Sequence, residues 1–248
     1  GSAQYHYLVD NRGLSPELFN NIYQANYHVT GEWFEKVIVY LNRKGNKVLG
    51  AQVRNLKEGN RRLFDILTFS KLYEMVGESE LSEVQLMMYN KLSYYYGILE
   101  IDFYGKITVF EGYGDALLFP NAIGLAGVNT DIKFLEDNNL DIQFFYDNDN
   151  AGYIKTEEKI KKGFSCFLWN KMFEYVVDMK NSSDPYFHRY KISKIIDLTK
   201  LNKVIPEVYK KLGLQKFFSI DNKDLKYVPK VKKRKWTKEE WEKFQKNK

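Results

Sequence analysis

Short apolar runs that end in acidic residues recur in the middle of the chain, and they limit the folds open to it. The run ITVF at 107–110 precedes Glu111, and the run IQFFY at 142–146 precedes Asp147 and Asp149. Short runs rich in β-branched and aromatic residues are typical of strands buried on both faces of a parallel sheet. The pattern therefore predicts an α/β fold in this region.

The acids that follow these runs are predicted to form a metal site. Side chains at the carboxyl ends of neighbouring parallel strands converge in one crevice, so Glu111 should approach Asp147 and Asp149. Carboxylates that close repel one another unless a cation binds them or a proton neutralises one of them. Oxygen ligands at a pocket mouth suit Mg²⁺, which keeps several waters and shares its coordination with substrate phosphates. The residues therefore favour a magnesium–phosphate site.

Strands and helices are expected to alternate through the rest of this region. Further strands are predicted at 122–125 and 165–169, with a helix from Asn129 or Thr130 to Asn138 and another from Asn150 to about Lys162. Such alternation calls for parallel strands joined by right-handed crossovers.

The preceding part of the chain carries different signals. Residues 36–55 alternate in polarity around a Lys-Gly-Asn turn, which predicts a hairpin. Apolar residues at helical spacing after Glu80 predict a helix, and Gly97 is its expected stop signal.

Composition excludes several classes of protein. No apolar run approaches the roughly 18 residues of a membrane span, which predicts no membrane partner. Cys166 is the single cysteine, so a disulfide framework is excluded and a reducing, cytoplasmic location is expected. Residues 229–248 hold nine Lys or Arg against three Asp or Glu, so this tail carries the whole net charge of +6. A basic tail favours contact with nucleic acid.

Three segments together resemble a known domain. EGYGDALLF at 111–119, GLAGVNT at 124–130 and YDNDNAG at 146–152 resemble the Toprim domain of primases, topoisomerases and some nucleases. The EGY-x-D form, with Ala-Gly after the Asp-x-Asp, most resembles the bacterial-type DNA primases. RGLS at 12–15 and an arginine after the predicted hairpin resemble the amino-terminal part of the primase catalytic core.

The resemblance implies an α/β fold with a Toprim-type, Rossmann-like parallel sheet. Its expected divisions are an N-terminal mixed α/β subdomain at 4–99, the Toprim domain at 100–176, a C-terminal helical segment at 177–228 and the basic tail at 229–248. It implies a primase core, bacterial or phage-encoded, that makes short RNA primers from ribonucleoside triphosphates. Single-stranded DNA would be the template, Mg²⁺ or Mn²⁺ the cofactor, and a replicative helicase a further partner.

The resemblance also assigns residues to roles. Glu111, Asp147 and Asp149 would be the catalytic metal ligands, and Asp178 would be a further ligand, with Asp184 as the alternative. Asp115 would either support these ligands or be a helix acid favoured by the helix dipole. Phosphates of template or nucleotide would be bound by a basic set: Arg54, Arg61, Arg62 and Lys91.

Other interpretations of the same residues remain open at this point. Asp147, Asp149, Gly152 and Glu158 occupy positions one, three, six and twelve of a calcium EF-hand loop, although position five is Ala151. The carboxylates could also serve a Toprim-type nuclease, in which water replaces the nucleotide as nucleophile. A single-stranded DNA-binding adaptor without catalysis is the third functional hypothesis.

Overall fold

Two β-sheets organise the chain in the computed structural model, which describes residues 1–11, 14–56, 63–76, 81–127, 129–180 and 214–226. The first sheet has four antiparallel strands, and the second has six strands of mixed direction. The protein is thus mixed α/β, as the sequence predicts at that level. No helix among the described residues has the length and apolar character needed to cross a bilayer.

The first sheet is built from the amino-terminal part of the chain. After a short helix α1 (Ala3–His6) and a turn at Pro16–Asn21, its strands follow in spatial order: β1 (Ile22–Val29), β2 (Glu32–Lys44), β3 (Lys47–Arg54) and β4 (Phe64–Leu67). The predicted hairpin is confirmed, because β2 pairs with β3 around a turn in which Gly45 has φ 56°.

Two helices, α2 (Phe69–Val76) and α3 (Glu83–Leu92), lead from the first sheet to the second. Ser82 caps α3 through the Gln85 backbone N–H, and the Gln85 side chain returns to the Ser82 backbone. This reciprocal pair satisfies two donors that a helix start otherwise leaves open. The chain then reaches Gly97, whose φ of 86° suits glycine best.

The second sheet contains the acid-terminated runs. Its elements in chain order are β5 (Tyr95–Tyr96), β6 (Ile107–Phe110), α4 (Tyr113–Ala116), β7 (Ala122–Leu125), α5 (Lys133–Asp137), β8 (Ile142–Phe145), α6 (Asn150–Lys161), β9 (Ser165–Phe167), α7 (Trp169–Lys180) and β10 (Phe218–Ser219). The spatial order is β10-β9-β8-β6-β7-β5. The four central strands pair in parallel, and both edge strands run antiparallel to them.

The carboxy-terminal part differs from the predicted helical segment where it is described. Residues 181–213 and the tail at 229–248 lie outside the described residues, but 214–226 supply the edge strand β10 and two short turns. Phe217 is buried, and its carbonyl accepts the Leu168 N–H at 2.9 Å. This segment joins the second sheet because the paired phenylalanines Phe217 and Phe218 cover the ring of Phe167.

One buried amide connects the two sheets. Asn42 on β2 is 1% exposed; its Nδ2 donates to the Tyr95 carbonyl at 3.0 Å and its Oδ1 accepts the Gly97 N–H at 3.1 Å. Close by, Ser93 Oγ donates to the Leu49 carbonyl, and Tyr113 Oη donates to the Ser93 carbonyl. The sheets are therefore fixed to each other by directional bonds as well as by apolar packing.

Candidate nucleotide site

A cavity of about 1080 Å³ is lined by residues from both sheets. On one side it is bounded by the loops that follow β6, β7 and β8, and on the other by β3, β4 and the end of α3. The lining includes five residues that the sequence assigns to the site: Glu111, Asp115, Asp147, Arg54 and Lys91. The fold therefore brings acids and bases together from positions far apart in the chain.

Three carboxylates form what we call the acidic wall: Glu111, Asp115 and Asp147. Glu111 and Asp147 follow β6 and β8, which pair directly in parallel, so both residues leave the sheet at the same edge. Asp115 is 5% exposed and lies in the first turn of α4. Glu111 Oε2 and Asp115 Oδ1 are both shielded from solvent. A concentration of negative charge at this edge is what the strand pattern predicts.

Two glycines allow the acidic wall to assemble. A Cβ on Gly124 of β7 would lie 2.7 Å from Tyr113 Cα, and a Cβ on Gly152 of α6 would lie 2.1 Å from the Asp147 carbonyl oxygen. Both separations are too short for any larger residue without backbone movement. The absence of a side chain on Gly152 lets the start of α6 lie against Asp147.

Asp149 lies elsewhere, against the expectation that it meets Glu111. Its Oδ1 accepts the Gly152 N–H at 2.9 Å and thereby caps α6. Asp149 does not line the large cavity, whereas Asp147 does. The physical reason is that the first turn of a helix leaves backbone donors open, and an aspartate immediately before it satisfies one of them.

The EF-hand interpretation is wrong. Residues 142–145 form a strand where an EF-hand needs a helix, and α6 begins at Asn150, inside the supposed calcium loop. Residues from the fourth position onward are helical, so the loop cannot wrap around an ion.

Arg54 and Lys91 form the basic wall. Arg54 ends β3 opposite Ile38, and its guanidinium carbon lies 5.5 Å from the centre of the Tyr7 ring. Arg54 Nε is buried, and no described residue accepts a hydrogen bond from it. A buried donor of this kind is costly unless an acceptor, such as a bound phosphate, reaches it.

Lys91 is more exposed and already has an acidic neighbour. It lies in the last turn of α3, and its Nζ is 3.5 Å from Asp131 Oδ2. The pKa of Asp131 is lowered, first by the backbone N–H of Lys133 and then by the charge of Lys91. Lys91 thus gives the basic wall a second positive charge, and Asp131 neutralises part of its field.

The other residues that the sequence assigns to the site lie outside the described part of the chain or have no described side chain. Arg61, Arg62 and Asp184 lie outside the described residues. Asp178 belongs to α7, of which only the backbone is described at that position. Gln52, which the sequence interpretation missed, lines the cavity two residues before Arg54 on the same strand. Because side chains alternate along a strand, the predicted hairpin could have identified it.

The acidic wall fits a hydrated cation better than an enclosed one. Among the described residues, no group of three or more His, Cys, Asp or Glu side chains is arranged to hold a metal ion. Mg²⁺ usually binds through one or two carboxylates and keeps waters or substrate phosphates as its other ligands. Glu111 and Asp147 supply that number of carboxylates at one cavity. The donor set therefore fits Mg²⁺ that arrives with a phosphate, and does not fit an all-protein cage.

Comparison with known proteins does not identify the chain. The sequence matches no model of a protein family and no curated protein.

Proposed function

We propose that the chain is the RNA-polymerising core of a DNA primase of the bacterial type, with the second sheet as its Toprim domain. The observation that supports this most is the opposition of the acidic wall and the basic wall across one cavity. The carboxyl ends of parallel strands are where ligands bind in open α/β sheets. A site that joins nucleotides needs both carboxylates for a divalent cation and cations for phosphate.

The roles of the residues follow from the chemistry of phosphoryl transfer. Bound Mg²⁺ or Mn²⁺ would neutralise phosphate charge and activate the attacking hydroxyl. Glu111 and Asp147 would hold the cation, and Asp115 would add to the negative field that attracts it. Arg54 would bind a phosphate of the incoming ribonucleoside triphosphate or of the template through charge-assisted hydrogen bonds. Lys91, partnered by Asp131, would contribute mainly to long-range attraction.

The cavity is large enough for more than one small ligand. Pockets for single drug-sized molecules span about 300–1000 Å³, and this cavity has about 1080 Å³. A templated reaction requires an incoming nucleotide and a template base in contact, which a site of this size accommodates. Tyr94 is 37% exposed on the same lining and offers an aromatic face for one of these bases.

Primer synthesis is the direct test. The full chain is incubated with single-stranded DNA, labelled ribonucleoside triphosphates and Mg²⁺ or Mn²⁺, with Asp147→Asn as the matched inactive control. Short labelled RNA that depends on template and cation would support the proposal. Cleavage of the DNA without nucleotide would favour the nuclease, and DNA binding without either reaction would favour the adaptor.

A further inference from the structure

A second, smaller hollow lies on the first sheet, and it shares no lining residue with the large cavity. It has a volume of about 350 Å³ and is lined by Gln4 of α1, residues 33–36 of β2 and residues 55–56, which follow β3. We call it the hairpin hollow. Asn55 of its lining follows Arg54 of the basic wall directly in the chain. A polymer held in the hairpin hollow would therefore contact the segment that follows Arg54.

An exposed tryptophan marks the rim of the hairpin hollow. Trp33 is 68% exposed and lies near the tip of the hairpin that joins β1 and β2. His28, its partner in register, has its ring 5.0 Å away and tilted by 42°. The tip itself is a tight turn through Thr30 and Gly31, both with positive φ. A large aromatic ring on a tight hairpin suits stacking against a planar ligand, since little order is lost on binding.

A buried acceptor points to the chemistry of that ligand. Gln4 is 9% exposed, and its Nε2 donates to the Lys36 carbonyl at 2.6 Å. Its Oε1 is buried, and no described residue donates a hydrogen bond to it. Since one N–H of the amide already binds the Lys36 carbonyl, the group of Gln4 that still needs a partner is the oxygen, an acceptor. The carboxylate of Glu35 is a second acceptor on the same lining.

The backbone at Lys36 is held in an uncommon conformation at this place. Lys36 has φ 52°, its carbonyl accepts from Gln4 and its N–H donates to Asn26 Oδ1 at 3.1 Å. A non-glycine residue with positive φ costs free energy and persists where its surroundings fix it, often at binding sites. The two hydrogen bonds supply that constraint and shape the hollow.

We infer that the hairpin hollow binds a base of single-stranded DNA, stacked on Trp33 and hydrogen-bonded through an amino group to Gln4 Oε1. The inference deepens the proposed function by naming where the template strand is held outside the nucleotide cavity. The two acceptors, Gln4 Oε1 and the Glu35 carboxylate, favour a base that presents an exocyclic amine, such as cytosine, over thymine, which has none. Lys36 adds a cation for the adjoining phosphate.

Binding of short DNA strands tests the hairpin hollow. The full chain is titrated into labelled oligo(dC) and oligo(dT) of about 12 nucleotides, a length within the range that single-strand binding folds occupy. Trp33→Ala should weaken oligo(dC) binding about five-fold or more, given the usual strength of base stacking, while Trp33→Phe should retain most of it. Tyr104→Ala is the matched control, because Tyr104 is fully exposed on the turn before β6 and lines neither cavity.

The preference of the hairpin hollow for one base provides an independent test. Gln4→Met should remove the preference for oligo(dC) over oligo(dT) and leave oligo(dT) binding nearly unchanged. Equal oligo(dC) affinity of Trp33→Ala and Tyr104→Ala would overturn the inference, even if the protein synthesises primers. Conversely, Trp33-dependent binding in a protein without primer synthesis would keep the hairpin hollow and overturn the proposed enzyme.

Discussion

The acidic wall and the basic wall of the cavity are positioned by different rules. The acidic wall follows from topology: adjacent parallel strands must end at one edge, so Glu111 and Asp147 line the same cavity whatever side chains lie between them. The basic wall depends on the register of an antiparallel sheet and on the docking of a helix end, which place Arg54 and Lys91. Strand topology makes a site predictable, whereas docking between sheets makes it specific to this chain.

The largest expected effect is the difference in primer synthesis between variants of Asp147 and Asp149. Asp147→Asn should reduce primer synthesis by about a hundred-fold or more, because a lost cation ligand removes several kcal/mol of transition-state stabilisation. The melting temperature should stay unchanged or rise, since carboxylate repulsion is relieved. Asp149→Asn should retain most activity, because asparagine caps helices as well as aspartate does. Equal loss in both variants would show that Asp149 also reaches the cation.

Replacement of Asn42, whose amide joins the two sheets, should have the next largest effect, and it should lower stability. Asn42→Leu deletes the hydrogen bonds to Tyr95 and Gly97 and leaves their backbone groups buried, which costs about 2–4 kcal/mol in the free energy of unfolding. Urea denaturation measures the change. Gln24→Leu on exposed β1 is the control and should lie within about 0.5 kcal/mol of the natural sequence. If Asn42→Leu leaves the free energy of unfolding unchanged, apolar packing alone holds the acidic wall and the basic wall in place.

The basic wall should respond unequally to loss of its two charges. Arg54→Ala should raise the nucleotide or template KM about ten- to a hundred-fold, because each charge-assisted hydrogen bond contributes about 1.5–3 kcal/mol. Lys91→Ala should have a smaller effect, about five-fold at most, since Lys91 is half exposed and paired with Asp131. Neither substitution should alter Mg²⁺ binding, which isothermal titration can check. A greater loss in Lys91→Ala would reverse the assignment of the buried phosphate contact.

The smallest effect at neutral pH concerns an ion pair beneath the second sheet. Burial acts to raise the pKa of Glu136, but hydrogen bonds from Lys159 and Lys162 outweigh it, so the pKa lies below its usual value. Such a carboxyl stabilises the fold above its unfolded pKa, and the contribution is lost as pH falls through the folded pKa. Replacing the pair together, as Glu136→Gln with Lys159→Met, should change stability at pH 7 by about 1 kcal/mol or less.

The dependence of stability on pH below 7 distinguishes the Glu136→Gln, Lys159→Met double variant from the natural sequence. Urea midpoints measured from pH 7 down to about pH 3 should fall less steeply in the double variant, because one depressed carboxyl no longer titrates. Parallel curves for the two proteins would show that the pair contributes nothing to acid sensitivity. The pair of Lys71 on α2 with Asp65 on β4 provides the comparison, since both of its side chains are more exposed than those of Lys159 and Glu136.

The sequence predicted the elements whose pattern is local. The runs at 107–110, 122–125 and 142–145 form strands because their residues are largely buried on both faces, and the hairpin at 36–55 forms because its turn and alternation agree. The placement of Glu111 and Asp147 at one cavity followed from strand direction alone. These features need no knowledge of distant contacts.

What the sequence did not predict depends on contacts across the chain. Asp149 was expected at the cation because an Asp-x-Asp pattern does not distinguish a metal ligand from a helix cap. In the structure Asp149 caps α6 instead. Strand β10 was missed because it has two residues and depends on Phe217 finding Leu168, about 50 residues earlier. Gln4 and Trp33 share a hollow only through the docking of α1 on the first sheet.

The double hydrogen bond of Asn42 makes one amide proton a reporter on the whole site. The Gly97 N–H is donated from one sheet to a side chain of the other, so it exchanges with solvent only when the two sheets part. Its exchange rate therefore measures the free energy of separating the acidic wall from the basic wall. If that amide exchanges as slowly as the amides of the buried strand β6, the cavity keeps one width, and a ligand would enter a slot that has no need to close around it.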